Sequence, residues 1–165
     1  MSRLVPTAEM TLGPFFPREF AEGASVLSKD ANIEITGRVT ELDGKALDNV
    51  ILEVWQADPA GRFDNPAFSG WGRAATDAQG NYLFKTVRPG AAPGRAPHVN
   101  FLVLYSGLMR QLQTVMFFEN SDDPVLHAVD AARRGRLVAQ KLNANSYRFD
   151  IRLRGGDDET PFFDD

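Results

Sequence analysis

Along most of the chain the hydrophobic positions recur at every second residue, the period of a strand with one face in a core. Ile33, Ile35, Gly37 and Val39 alternate with Glu34, Thr36, Arg38 and Thr40, and Asp43-Gly44 then marks a turn. The run Val50-Ile51-Leu52-Glu53-Val54-Trp55 is apolar on both faces, which predicts a strand central in its sheet. A turn at Asp77-Ala78-Gln79-Gly80 leads into a strand from Asn81 to Val87, which Arg88-Pro89-Gly90 stops. The stretch through Pro93, Gly94 and Pro97 reads as irregular loop. Val99 to Tyr105 and Leu112 to Phe118 predict two buried strands around a turn at Ser106-Gly107. Near the C-terminus Tyr147, Phe149, Ile151 and Leu153 face one way, while Arg148, Asp150, Arg152 and Arg154 face the other, which predicts one half-buried strand.

A single helix stands out. Asp123 can cap it, Pro124 suits its first position, and Val125, Leu126, Val129 and Ala132 make a helical stripe that ends by Gly135. Short strands with one short helix predict an all-β domain, a β-sandwich or barrel. The 165 residues suit one domain with its own core. Residues 1–30 are poor in strand signal and are expected to form an irregular N-terminal arm that wraps over the sandwich of residues 31–165 or reaches onto a neighbour.

Composition narrows the function by exclusion. A net charge of −4 with scattered basic residues argues against nucleic-acid binding. The small cluster Arg133, Arg134 and Arg136 reads first as a solvated helix end, with an anion site the minority alternative. The absence of cysteine removes disulfides, thiolate metal sites and a cysteine nucleophile, and suits a reducing compartment. No apolar run approaches the roughly 20 residues of a membrane span, and the first residues lack a signal-peptide core. The expectation is a soluble, cytoplasmic protein.

Reactive groups are few. The only histidines are His98 and His127, read as a residue at the start of a buried strand and a structural or surface residue of the helix. No nucleophile elbow, Walker loop or dinucleotide fingerprint occurs. Acidic pairs such as Asp122-Asp123 and Asp157-Asp158 read as solvated surface. The residue inventory alone describes a β domain without a visible active site.

Several stretches taken together resemble one family. They are Thr11-Leu12-Gly13-Pro14-Phe15, Ile35-Thr36-Gly37-Arg38-Val39, and Leu52-Glu53-Val54-Trp55-Gln56-Ala57-Asp58 followed by Gly61-Arg62-Phe63. Further on come Gly72-Arg73, Thr76-Asp77, Gly80, Tyr82, Phe84, Thr86, Pro89-Gly90 and Ala96-Pro97-His98-Val99-Asn100. In order and spacing they resemble the intradiol ring-cleavage dioxygenases, with Glu53 to Ala57 the most specific run. The closing stretches Tyr147 to Arg152 and Phe162-Phe163-Asp164 are similar to the α subunits of the family's protocatechuate-cleaving branch.

The resemblance implies a β-sandwich and a role in aromatic catabolism. Catalytic members hold a ferric iron with two tyrosines and two histidines, hard phenolate donors that suit the ferric state beside imidazoles. Here the first tyrosine position carries Phe63, the second falls among Ala91, Ala92 and Pro93, and the His-x-His pair has become His98 and Asn100. The resemblance therefore implies a chain with no iron of its own and no catalytic residue. It would pair with a β subunit that keeps the ferric iron and cleaves the aromatic diol protocatechuate with dioxygen to 3-carboxy-cis,cis-muconate. In such α subunits the N-terminal segment helps to wall the partner's pocket, which implicates Thr11, Gly13 and Pro14. A pocket arginine of those subunits corresponds to Ser106 here, with Arg110 the nearest arginine.

Phe15, Phe16, Phe20, Phe162 and Phe163 lie in irregular segments, where association and intramolecular tucking are both open. Two other readings compete: a free-standing β-sandwich binding module, and an active enzyme with an altered metal site using Asp64 and His98.

Overall fold

A computed structural model describes residues 22–163, apart from Gly107 and Met109. Thr11, Gly13 and Pro14, and with them Phe15, Phe16 and Phe20, lie outside the described residues. Among those described, nine strands form: β1 (Ile33–Thr40), β2 (Ile51–Gln56), β3 (Trp71–Ala75), β4 (Asn81–Thr86), β5 (His98–Leu104), β6 (Leu112–Phe117), β7 (Gln140–Lys141), β8 (Ser146–Arg148) and β9 (Ile151–Arg152). One sheet runs β4-β1-β8-β7, with β9 also on β1, and the other runs β3-β2-β5-β6. This is the expected β-sandwich with one short helix, α1 (Pro124–Ala128).

Alternation places the core. Ile33, Ile35 and Val39 of β1 point inward with Phe84 of β4, opposite Leu52 and Val54 of β2, Val99, Phe101 and Val103 of β5, and Met116 of β6. Phe101 sits at the centre, its ring 5.3 Å from Phe149 and 6.1 Å from both Tyr82 and Phe84. Burying such a ring contributes about 1.5–3 kcal/mol, and each favourable ring pair adds roughly 0.5–1.5 kcal/mol. Tyr82 donates its hydroxyl to the Phe149 carbonyl directly over Gly37, where a Cβ would collide with both partners.

The central position expected for residues 50–55 holds, since β2 lies between β3 and β5. A smaller apolar cluster of Val115, Phe117, Leu126 and Leu137 lies beneath α1 on the outer side of β6, so the second half of β6 is buried on both faces.

The structure corrects two expectations, adds one strand and decides one open choice. β3 carries Gly72 and Ala74 and has little strand propensity of its own; it forms because it pairs along β2, with Trp71 opposite Trp55. The C-terminal alternation keeps its burial pattern but splits into β8 and β9, because the Asp150 carboxylate takes the Arg38 amide at 2.9 Å where a backbone carbonyl would continue the ladder. The helix is shorter than its stripe. Val129 turns extended (φ −90, ψ 142), and Asp130 then starts a turn by accepting the Ala132 amide. Phe162 and Phe163 tuck onto the two apolar clusters, with the Phe163 amide donating to the Gln113 carbonyl at 2.9 Å.

Residues 24–27 clasp both sheets. Arg73 donates its amide to the Ala24 carbonyl at 2.8 Å, and Lys85 donates to the Ser25 carbonyl at 2.9 Å. Leu27 returns a bond to the Lys85 carbonyl and buries its side chain in the core.

A candidate site on the outer face of the four-stranded sheet

Because Val99, Phe101 and Val103 fill the core, His98, Asn100 and Leu102 project from the opposite face of β5. Phe63 reaches the same place from the loop after β2, its ring 6.4 Å from the imidazole of His98. Phe117, facing His98 across the β5–β6 pair, lies 6.0 Å from the same ring. The structure thus brings together Phe63, His98 and Asn100.

His98 is held firmly. It is only 5% exposed, and its Nδ1–H donates to the Ala96 carbonyl at 2.7 Å. That bond leaves the lone pair on Nε2. Burial pushes the imidazole below its ordinary pKa, against the opposing pull of the Ala96 carbonyl, so the ring is neutral at neutral pH. The Asn100 amide makes only a long contact, 3.5 Å, to the Trp55 carbonyl. Phe63 is 54% exposed.

Buried polar side chains hold the loops under these residues. Asp58 is almost fully buried and accepts the Ala60 and Arg62 amides at 2.9 Å each and the Asn65 side chain at 2.8 Å. The Arg62 amide, with the Asn65 side chain next, holds its carboxyl below the usual carboxylate range. Its own carbonyl accepts the amides of Gly61 and Gly90 at 2.9 Å, joining the Phe63 loop to the loop of Ala91, Ala92 and Pro93. The two loops meet so closely that a Cβ at Gly61, whose φ is +80°, would strike the Ala91 carbonyl.

Gln56 ties the sheets together, donating to the Val87 carbonyl at 2.9 Å and accepting the Thr86 hydroxyl at 3.0 Å. Asp123 has no exposure. It accepts the Val125 amide as the helix cap and the Ala96 amide, both at 2.8 Å, and pairs with Arg95 at 2.9 Å. One carboxylate thus fixes both α1 and the segment that aims His98.

These clamps are the residues sequence reasoning missed. Asp123 was expected as a cap but also as solvated surface, and burial corrects the second expectation. Asp58 had only the turn pattern Asp58-Pro59-Ala60-Gly61 to signal it. His127 is exposed, with Nε2 3.4 Å from Asp122. The arginine cluster is bonded rather than simply solvated: Arg134 donates to the Val129 carbonyl at 2.9 Å, Arg133 to the Glu159 carbonyl at 3.2 Å, and Arg136 pairs with Asp158. Ser106 and Arg110 lie beyond the far end of β5, and Arg110 lines a separate pocket of about 530 Å³ with Leu112, Val129 and Phe163.

The donor set here is one imidazole nitrogen and one carboxamide. Phe63, Ala91, Ala92 and Pro93 offer no side-chain donor, and Asp64 is exposed. These residues do not fit a ferric ion held by two phenolates and two imidazoles. Among the described residues no group of three or more His, Cys, Asp or Glu side chains could hold a metal.

A family model described as Dioxygenase matches residues 27–155. The chain is 34% identical over 197 aligned residues to the protocatechuate 3,4-dioxygenase alpha chain of Burkholderia cepacia, covering 99% of this chain and 100% of that one. It is 36% identical to the beta chain of the same organism's enzyme, over 76% of this chain and 65% of that one. Among solved structures, the dioxygenase domain of a carbohydrate-binding fusion from Streptomyces sp. SirexAA-E superposes with a TM-score of 0.63 at 24% identity, covering 95% of this chain and 100% of that one, a likeness of fold.

Proposed function

This chain belongs to the intradiol dioxygenase family, whose members are iron enzymes, and on that premise we propose that it is the α subunit of a protocatechuate 3,4-dioxygenase. It holds no iron itself and assembles with a homologous β subunit that does. One observation carries the reading. The likeness to an alpha chain runs the full length of both proteins, while the positions that would ligate iron carry Phe63, Asn100 and an alanine-proline loop. The β-chain likeness adds that such a partner shares this chain's ancestry.

In this reading the chain's own residues perform no chemical step. His98 is a neutral packing residue against Phe63 and Phe117, and its remaining nitrogen has no second protein ligand beside it among the described residues. The arm of residues 1–30 contacts the partner through the part ahead of its clasp at residues 24–27, and Thr11, Gly13 and Pro14 wall the pocket in which the aromatic diol is opened. Glycine lets backbone approach a ligand closely, and proline stiffens the chain that follows. The assembly works in the cytoplasm, as a cysteine-free composition suits.

The test is to purify the chain alone and co-expressed with its β partner, then measure iron content, visible absorption and protocatechuate cleavage. The expected result is a colourless, inert single chain and a coloured, iron-bearing, active pair. Stoichiometric iron and ring cleavage by the single chain would refute the assignment.

A further inference from the structure

On the other sheet, away from the Phe63–His98 face, four arginines converge on one pocket of about 270 Å³. Arg38 comes from β1, Arg148 and Arg152 from β8 and β9, and Arg136 from the 3-10 turn at Arg134–Leu137. The parallel pairing of β1 with β8 and β9 is what sets these side chains in one row, with Thr36 beside Arg148 and Thr40 beside Arg152. Two carboxylates share the pocket, Asp150 and Asp158, so its walls carry a formal excess of two positive charges in a chain whose net charge is −4.

The guanidinium groups are only partly used by the protein. Arg148 meets both oxygens of Asp150 at 3.0 Å through Nε alone. Arg38 spends its Nε on the Gln79 carbonyl at 2.7 Å. Arg152 uses one terminal nitrogen on Asp158 at 3.0 Å, and Arg136 uses one on the same carboxylate. No described residue accepts from both terminal nitrogens of Arg38 and of Arg148, or from the second terminal nitrogen of Arg152 and of Arg136. At the base of the pocket Thr160 is only 2% exposed. Its hydroxyl accepts the Arg152 amide at 2.9 Å, and its proton has no acceptor among the described residues.

An excess of forked cationic donors above a buried hydroxyl, in a concavity of this size, matches an oxyanion. We propose that this pocket binds a small doubly charged oxyanion, a phosphate or a short dicarboxylate, gripped by the terminal nitrogens of Arg38 and Arg148 with Arg152 and Thr160 beneath. The site is independent of the assignment as a dioxygenase subunit, because none of its residues belongs to the Phe63–His98 face.

Calorimetric titration of the full chain with inorganic phosphate and, separately, with succinate at constant ionic strength tests it. Saturable one-to-one binding of either probe supports the site, and the tighter of the two identifies the source. Arg38→Gln and Arg148→Gln should each weaken that binding by about tenfold, the loss of one charge-assisted contact. Arg154→Gln, an exposed arginine outside the pocket, should leave it unchanged. Amide resonances of Arg38, Arg152 and Thr160 should move together on titration, a readout that does not depend on any variant. The proposal is overturned if neither probe saturates by about ten millimolar, a weak bound on specific binding, or if Arg154→Gln weakens binding as much as Arg38→Gln does.

Discussion

The Phe63–His98 face and the arginine pocket are opposites. The first has deep scaffolding and almost no reactive groups: Asp58, Gln56 and Asp123 are buried and fully engaged, yet what they support is a phenylalanine, a neutral imidazole and an amide. The second has charged groups in excess with light scaffolding, because Arg148 and Arg152 stand partly exposed on short C-terminal strands and Arg136 on a 3-10 turn. The difference shows where substitution is tolerated. A position at the surface can change with little effect on folding, as Phe63, 54% exposed, can. The clamps beneath cannot change so freely, since removing a buried carboxylate strands several amides at once.

The strongest way to break this contrast is to attack the common core on which both regions rest. Phe101→Ala should cost about 4 kcal/mol, read as a fall in the denaturant midpoint with unchanged slope. A loss below about 1 kcal/mol would mean that the ring cluster around Phe101 is not the shared foundation. Next comes the clamp itself. Asp123→Ala removes the helix cap, the Ala96 contact and the Arg95 pair together, and should cost about 3 kcal/mol in the same assay.

The pH dependence sharpens the contrast further. His98 has a folded-state pKa below its unfolded value near 6.5, so the unfolded chain binds the extra proton as the medium turns acid. Stability should be fully present above that value and fall as pH drops below it, and His98→Gln should flatten this segment of the curve. Asp58 and Asp123 have depressed pKa values too. Their contribution is present above the ordinary carboxylate range near 4 and is lost as pH falls through their lower folded values. A denaturation midpoint unchanged between pH 7 and 5 would remove the His98 part of this account. The smallest effect belongs to Phe63→Ala, which should shift stability by less than about 0.5 kcal/mol. A shift as large as that of Asp123→Ala would show that the Phe63 face still supports the fold.

How much of this was legible from residue order differs by level. β1 announced itself by alternation, and β2, β4, β5 and β6 by apolar runs bounded by turn residues. β3 did not, because Trp71-Gly72-Arg73-Ala74-Ala75 becomes a strand only through its register with β2. The face shared by His98 and Asn100 was legible from their spacing of two. The burial of Asp123 was not, because its partners Arg95 and Ala96 are distant in sequence and meet it only after β5 and β6 have paired. The arginine row was equally hidden: the alternation of 148, 150 and 152 exposed those residues, but nothing local placed Arg38 and Arg136 beside them.

The clasp of residues 24–27 has a consequence for how this chain survives in a crowded solution. A sheet that ends in an open strand invites another molecule to add to it, and here β3 and β4 end the two sheets on one flank of the sandwich. Ala24, Ser25 and Leu27 occupy the hydrogen bonds that such a visitor would take. Removing the first thirty residues would therefore uncover two sticky rims at once and take Leu27 out of the core, and the shortened chain should precipitate or form ordered fibrils.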